Sequence, residues 1–188
     1  MTPAARPDLI LVRHAAPEQR PEASPPEWGL SDAGRAAAAA LAGKLLGLAP
    51  APAAVWASSE PKAVETAQII ARPLGLAVRR DAAFDEHRRE RWPFEADPAA
   101  FRDRVSRVLS DPAASVDGAE PAEAARGRFA AGIARRAERP LLVVSHGTVL
   151  SLYVAAASGE NAFDLWRSLR LPEALLMSAG GALIGRIV

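Results

Sequence analysis

Short apolar runs separated by longer amphipathic stretches make up the hydrophobic pattern of this chain. Residues 9–12 and 141–144 are continuously apolar, which is typical of strands that are covered on both faces. Weaker runs predict the remaining strands, at 53–57, 76–78, 175–178 and 183–188. The last two of these runs flank Gly180-Gly181, so they predict a C-terminal hairpin.

Helices are predicted between these runs by Ala-rich composition and by apolar residues at helical spacing. Ser31 and Asn161 are typical N-caps for two of the helices, and Gly47 marks the end of the first. Pro73 is expected to end the second helix near residue 71. The remaining predicted helices cover 61–71, 119–137 and the residues that follow 147.

The charged stretch 81–117 differs in character from the rest of the chain. Its one clear amphipathic helix is predicted by four apolar residues on a common face: Phe101, Val105, Val108 and Leu109. We interpret this stretch as an excursion from the core sheet.

The alternation of strands and helices predicts an α/β fold with helices on both faces of a mostly parallel sheet. Such a fold is a three-layer α/β/α sandwich, to which the terminal hairpin adds an antiparallel C-terminal strand. The length of 188 residues suits one domain with one sizeable core. We therefore expect a single domain over 1–188, with a flexible tail at 1–7 and a small helical lid or insertion at 81–117.

Composition excludes several classes of function. The 23 basic and 22 acidic side chains leave a net charge of +1, so we expect neither nucleic acid nor membrane as a partner. The chain has no cysteine, which excludes thiol nucleophiles and thiolate metal sites and fits a cytoplasmic protein. The sequence shows neither a secretory signal nor a run of about 18 apolar residues that would span a membrane.

Two of the predicted strands end in a histidine, in Arg13-His14 and in Ser145-His146-Gly147. Because ligands of open parallel sheets bind at the carboxyl ends of the strands, both histidines are expected at one edge. Lys62 follows a third strand and is expected in the first turn of its helix at the same edge. Arg13, Lys62 and the two imidazoles then form a basic pocket in a nearly neutral protein, and Arg and Lys are suited to phosphate oxygens.

A neutral imidazole is a competent nucleophile at neutral pH, and it can attack phosphorus to form a phosphohistidine. Surrounding cations stabilise the charge that develops on the transferring group. The leaving alkoxide needs a proton, for which the charged stretch offers three carboxyl groups, and the residues alone leave the choice open. The three candidates are Asp85, Glu86 and Glu90.

The ordered set of motifs resembles the histidine phosphatase superfamily, which is also called phosphoglycerate mutase-like. Arg13-His14-Ala15 resembles the family's Arg-His-Gly at the end of the first strand, and Ser145-His146-Gly147 meets its later Ser-His-Gly. Between them, 58–67 resembles a Ser-Ser turn followed by a basic residue and Ala-x-x-Thr-Ala, and 30–35 resembles the family's first helix start. The resemblance covers essentially the whole chain.

The resemblance implies a role for each candidate. His14 resembles the phosphorylated nucleophile, and His146 resembles the residue that stabilises the transferring group. Arg13 and Lys62 resemble the phosphate pocket, to which Gly147 is added from the Ser-His-Gly motif, and Glu86 matches the general acid in place. The resemblance implies a small phosphorylated substrate and no metal or organic cofactor.

Two departures from the family pattern are Ala15 in place of glycine and Lys62 where many members have arginine. The leading hypothesis is a phosphomonoesterase that acts on a small phosphorylated metabolite through a phosphohistidine. The alternatives are phosphoryl transfer of the phosphoglycerate mutase type and a non-catalytic phosphate-binding module. Three aromatic residues either line the pocket or serve in packing: Trp28, Trp92 and Phe94. Three arginines either bind a second anionic group of the substrate or belong to a solvated loop: Arg88, Arg89 and Arg91. An exposed edge strand near the C-terminus would permit a dimer.

Overall fold

The computed structural model describes residues 6–92 and 94–188. Residues 1–5 of the predicted tail and Pro93 of the predicted lid lie outside the described residues. The strands are β1 (Leu9–Arg13), β2 (Ala54–Ala57), β3 (Val78–Arg80), β4 (Leu141–Ser145), β5 (Glu173–Met177) and β6 (Leu183–Ile187). The α-helices are α1 (Asp32–Leu45), α2 (Pro61–Leu74), α3 (Pro98–Ser110), α4 (Ala122–Ala134), α5 (Gly147–Ser158) and α6 (Ala162–Ser168).

The six strands form one sheet in the order β3-β2-β4-β1-β5-β6. The four strands β3, β2, β4 and β1 are parallel to one another, whereas β5 runs antiparallel to both β1 and β6. The antiparallel strand is therefore the first strand of the C-terminal hairpin. This topology confirms the mostly parallel α/β sheet that the sequence predicts.

Side chains of β1 alternate between two apolar cores, one on each face of the sheet. Leu9 and Leu11 pack with residues of α4 and α5, while Ile10 and Val12 pack with residues of α1 and α2. All four side chains are buried. Because both faces of the central strands are covered, these strands are continuously apolar in sequence.

The helix boundaries follow the predicted signals, with two corrections: one at α2, and one at α4, which spans Ala122–Ala134 rather than 119–137. The Ser31 hydroxyl accepts the Gly34 N–H at 3.0 Å, and Asn161 likewise caps α6. The helix α2 continues through Pro73 to Leu74, so the prediction that it ends near residue 71 is wrong. Pro73 is the penultimate residue of α2, where its missing N–H costs one helical hydrogen bond at the helix end, and Gly75, in the left-handed conformation at φ 68°, ends the helix. The third strand accordingly begins at residue 78 rather than at 76.

The stretch 81–117 contains one α-helix, α3, which is anchored by Val105 and Val108. That this stretch acts as a lid stays a prediction, as do the single domain and a dimer through the edge strand β6. None of the helices in 6–92 and 94–188 is long and apolar enough to cross a membrane.

Candidate active site

The central pair of strands brings the two histidines together. Arg13 at the end of β1 is in register with Ser145 at the end of β4, and His14 and His146 follow directly. The two imidazole ring centroids are 5.0 Å apart, with an angle of 60° between the ring planes. Both rings are buried, with 7% of His14 and none of His146 exposed.

The orientation of the His14 ring is set by its neighbour along the chain. Nδ1 lies 2.8 Å from the Ala15 carbonyl oxygen, so Nδ1 carries the proton and Nε2 holds a free lone pair. The Ala15 N–H in turn donates to Thr66 Oγ1 at 3.0 Å, which ties this turn to α2. Ala15 is buried against Leu30 and Ala38, and its φ is not positive, so replacing the family's glycine causes no backbone strain.

Burial, the nearby His146 and the charges of Lys62 and Arg13 lower the pKa of His14 well below its usual value. Burial removes the water that stabilises a charged imidazolium and costs the neutral ring much less. The adjacent cations also disfavour a positive charge on His14. His14 is therefore neutral at pH 7, and its Nε2 is available as a nucleophile.

His146 is held by a chain of hydrogen bonds. The Ser58 hydroxyl donates to Asp85 Oδ1 at 2.8 Å and therefore accepts from His146 Nε2, also at 2.8 Å. Burial lowers the pKa of His146 to about 3, so this ring is neutral as well, with its proton on Nε2. This arrangement leaves Nδ1 of His146 as the atom with an unused hydrogen-bonding position.

Two buried nitrogens of the site, Arg13 Nε and His146 Nδ1, have no hydrogen-bond partner among the described residues. Arg13 donates through Nη1 to the Leu169 carbonyl at 2.7 Å, which fixes its guanidinium. The guanidinium passes beside Gly147, where an added Cβ would lie 3.2 Å from Arg13 Nε. Unpaired buried polar atoms are costly, and two at one site indicate a polar or anionic ligand.

The Lys62 ammonium is less available than the sequence suggests. It pairs with the Glu60 carboxylate and donates to the Pro25 carbonyl at 2.8 Å. Glu60 also accepts the Glu86 N–H at 3.0 Å and lies 3.4 Å from His146 Nε2. Burial raises the pKa of Glu60, and Lys62 opposes that rise. The predicted basic pocket thus also contains the Glu60 carboxylate, which was not predicted from the sequence although Glu60 lies two residues before Lys62.

Removing one member of this buried pair is expected to destabilise the protein more than removing both. The side chains of Lys62 and Glu60 are only 8% and 10% exposed. Glu60→Gln should therefore lower the free energy of unfolding by about 3–5 kcal/mol, because it leaves a buried cation unpaired. The double variant Glu60→Gln/Lys62→Met should recover most of that loss in urea denaturation at pH 7. A double variant as unstable as the single one would contradict this reasoning.

The structure separates the three candidate acids. Asp85 accepts hydrogen bonds from Ser58 and from the backbone and hydroxyl of Ser59, at 2.7 to 2.8 Å, and so anchors the turn after β2. Glu90 is exposed to solvent. The geometry therefore favours Glu86, which is the acid that lies at the site.

The Glu86 side chain lies against the N-terminus of α5, the helix that begins directly after His146. Its carboxylate accepts the backbone N–H groups of Thr148 at 3.3 Å and Val149 at 3.2 Å. Burial alone would raise the pKa of Glu86, but Arg89, His146 and the His87 N–H hold that pKa well below its usual value. The carboxylate is thus ionised at neutral pH, in a position where helix N–H groups favour an anion.

Arg128 of α4 holds the segment that carries Glu86. Its guanidinium donates, at 2.9 to 3.1 Å, to four backbone carbonyl oxygens of the segment 82–86, those of Ala82, Ala83, Asp85 and Glu86. It also pairs with Glu120 at 2.7 Å. This anchor was not predicted, because an arginine in an Ala-rich helix has no sequence signal that distinguishes it from a solvated one.

Of the three arginines that the sequence offers for a second anion or a solvated loop, Arg89 is the one that lies at the site. Its Nη1 donates to Thr148 Oγ1 at 3.3 Å, and its Nη2 lies 3.6 Å from Glu86 Oε2. The neighbouring Arg88 and Arg91 are exposed. Within the described part of the chain, no group of three or more His, Asp or Glu side chains is arranged to hold a metal ion.

The comparisons with known proteins agree with this geometry. A family model described as histidine phosphatase superfamily, branch 1, matches residues 9–178. The solved structure of mycobacterial glucosyl-3-phosphoglycerate phosphatase is 21% identical, with a TM-score of 0.70 and 94% of each chain covered. The alpha-ribazole phosphatase from Shigella flexneri is 21% identical, with a TM-score of 0.67, and the match covers 92% of this chain and 91% of that one.

A search of curated protein sequences gives no significant match. The solved structures, at these identities, show a common fold, and the family model spans most of the chain. The chain therefore belongs to the histidine phosphatase superfamily, and it is a phosphatase with a histidine nucleophile.

Proposed function

We propose that this protein is a phosphomonoesterase that hydrolyses a small phosphorylated metabolite through a phosphohistidine at His14. The observation that carries this proposal is the free lone pair of His14 Nε2 beside two buried nitrogens without partners, Arg13 Nε and His146 Nδ1. A phosphoryl group at this place accepts from Arg13 Nε, and from His146 Nδ1 once that ring is protonated, while its phosphorus faces the nucleophile. Two of the solved relatives are named as phosphatases of small metabolites, which supports the substrate class.

In the first step, His14 Nε2 attacks phosphorus and the ester P–O bond breaks. Arg13 and an imidazolium form of His146 stabilise the charge on the equatorial oxygens. His146 is neutral without substrate, and the negative phosphoryl group next to Nδ1 favours the uptake of a proton from solution at that atom when the substrate binds. The Lys62 ammonium pairs with Glu60, so in this proposal it acts on the phosphoryl group through its charge and not through a direct contact.

Glu86 is the proton donor to the leaving oxygen in this proposal. Its low pKa in the free protein comes from positive neighbours and helix N–H groups, with which an incoming phosphoryl group competes. A bound phosphate monoester therefore raises the pKa of Glu86, and the proton arrives with the monoanionic form of the substrate. The leaving alcohol then departs neutral.

In the second step, water attacks the phosphohistidine and gives up its proton to the Glu86 carboxylate. The N–P bond breaks, inorganic phosphate leaves, and neutral His14 is restored. The same carboxyl group thus acts as an acid in the first step and as a base in the second.

Rapid quenching tests the covalent intermediate. Wild-type protein mixed with a radiolabelled phosphate monoester is expected to carry label that is stable in base and lost in acid, on the peptide that contains His14. The matched controls are His14→Gln, which should take up no label, and His146→Gln, which should still be labelled at His14, but slowly.

Labelling at His146 instead, or in the His14→Gln variant, would contradict the assignment. Binding of inorganic phosphate without any covalent label would favour the non-catalytic phosphate-binding module. Isomerisation of 3-phosphoglycerate faster than phosphate release would favour the mutase reaction.

A further inference from the structure

The wall of the site beside Glu86 is aromatic. The Arg89 guanidinium, which lies next to Glu86, is 5.1 Å from the centre of the Phe101 ring of α3. Phe101 in turn lies 6.1 Å from Trp166 of α6, and Trp166 stacks on Phe163 at 5.9 Å with 13° between the ring planes. All three aromatic side chains are only partly buried.

This wall reaches the phosphate pocket itself. An added Cβ on Gly147 would lie 3.3 Å from Trp166 Nε1 and 3.2 Å from Arg13 Nε. The indole edge and the guanidinium therefore approach the same backbone position, directly after His146. The carbonyl of Leu169, which follows α6, accepts from Arg13 and so fixes the helix end against the pocket.

The position of the acid indicates which side of the pocket receives the leaving group. A proton donor must lie within hydrogen-bonding reach of the leaving oxygen, so the leaving group extends over the side that carries Glu86. On that side, the described residues next to Glu86 are Arg89, Thr148 and Val149, and Phe101 and Trp166 continue the surface outwards.

We propose that Phe101 and Trp166 form a subsite that stacks an aromatic or heteroaromatic ring in the leaving group of the substrate. The inference rests on the proposed phosphomonoesterase reaction at His14 and names the class of ester that this site prefers. Flat rings gain from offset or edge contact with aromatic side chains beyond the area they bury, whereas a saturated ring of similar size does not.

The other aromatic pair near the site, Trp28 and Phe94, fits this role less well. The Trp28 indole N–H donates to the carbonyls of Arg20 and Ala23, and the side chain is buried, so it fixes its own loop. Phe94 packs edge-on against Trp28 at 5.9 Å and is 43% exposed. The pair lies beside the loop that contacts Lys62 rather than beside Glu86.

The test compares phenethyl phosphate with cyclohexylethyl phosphate, whose leaving alcohols have similar acidity and size. Wild-type protein is expected to hydrolyse the phenethyl ester with a kcat/KM about 3- to 10-fold higher. Trp166→Leu and Phe101→Leu should each bring this ratio close to one, mainly by loss of kcat/KM for the phenethyl ester, and Trp166→Phe should keep part of it. The matched control is Phe94→Leu, which should keep the wild-type ratio.

Equal kcat/KM values for the two esters in the wild-type protein would overturn the subsite while leaving the phosphatase reaction intact. Loss of the preference in Phe94→Leu but not in Trp166→Leu or Phe101→Leu would overturn it too, because the ring would then bind on the opposite wall. Release of phosphate from neither ester, with no labelled His14, would contradict the proposed function and the subsite together.

Discussion

Replacement of His14 by alanine is expected to lower kcat/KM for any phosphate monoester by a factor on the order of 10⁴ or more. The reason is that His146 cannot take over as the nucleophile in this mechanism: its Nε2 donates to Ser58, and its Nδ1, without a partner in the free protein, is protonated next to the bound phosphoryl group and then has no lone pair. The measurement is phosphate release in the steady state, with thermal unfolding of the same samples to establish that the variant is folded.

Imidazole added to the His14→Ala variant provides a sharper readout of the same prediction. Alanine leaves room where the ring was, and an imidazole molecule bound there offers the same nitrogen, so part of the activity should return as its concentration rises. His14→Gln, which fills the space, should show no such recovery. Wild-type rates in either variant would exclude His14 as the nucleophile.

Replacement of Glu86 by glutamine is expected to lower kcat/KM for an alkyl phosphate by about 10²- to 10³-fold, since the leaving alkoxide loses its proton donor. We compare kcat/KM because it reports the steps up to departure of the alcohol and excludes the hydrolysis of phosphohistidine that all esters share. The loss should be much smaller for p-nitrophenyl phosphate, because nitrophenolate leaves without a proton. Asp85→Asn tests the anchoring role of that residue and should affect both esters alike, and Glu90→Gln, at an exposed position, should leave both rates unchanged. An equal loss for both esters in Glu86→Gln would contradict the role of an acid.

The ionisation of Glu86 is also expected to affect how the free energy of unfolding depends on pH. Its folded-state pKa lies well below the ordinary value of 4.5, so the carboxylate stabilises the fold at any pH above that value. The contribution is lost as the pH falls from about 4.5 through the lower, folded-state pKa. Glu86→Gln should remove this part of the acid sensitivity, which denaturation curves between pH 7 and pH 3 would measure.

The local pattern was enough to predict the strands and the histidines at their ends. Residues 9–12 and 141–144 are apolar because both faces of a central strand are covered, and this requirement is visible in any window of the sequence. Two such strands side by side in a parallel sheet bring their carboxyl ends to one edge, so the meeting of His14 and His146 followed from topology.

The hydrogen-bond and ion-pair partners of the charged residues could not be predicted from the local sequence pattern. Lys62 was expected to face the phosphate, but Glu60 and the Pro25 carbonyl hold its ammonium. Asp85, Glu86 and Glu90 lie within six residues of one another and are chemically equivalent in sequence. Only the packing of their segment against β2 and α5, which Arg128 anchors, gives them different environments.

The sequence by itself thus determined the α/β fold, the edge of the sheet at which chemistry takes place and the histidines at that edge. These features depend on periodicity and chain order, which are properties of short segments and their succession. The tertiary structure alone decided which nitrogen of His14 is free, how the environments of the three candidate acids differ and which aromatic side chains line the pocket. These properties depend on burial and on contacts between residues far apart in the chain, such as Arg13 with Leu169 and Glu86 with Thr148, and no local pattern encodes such contacts.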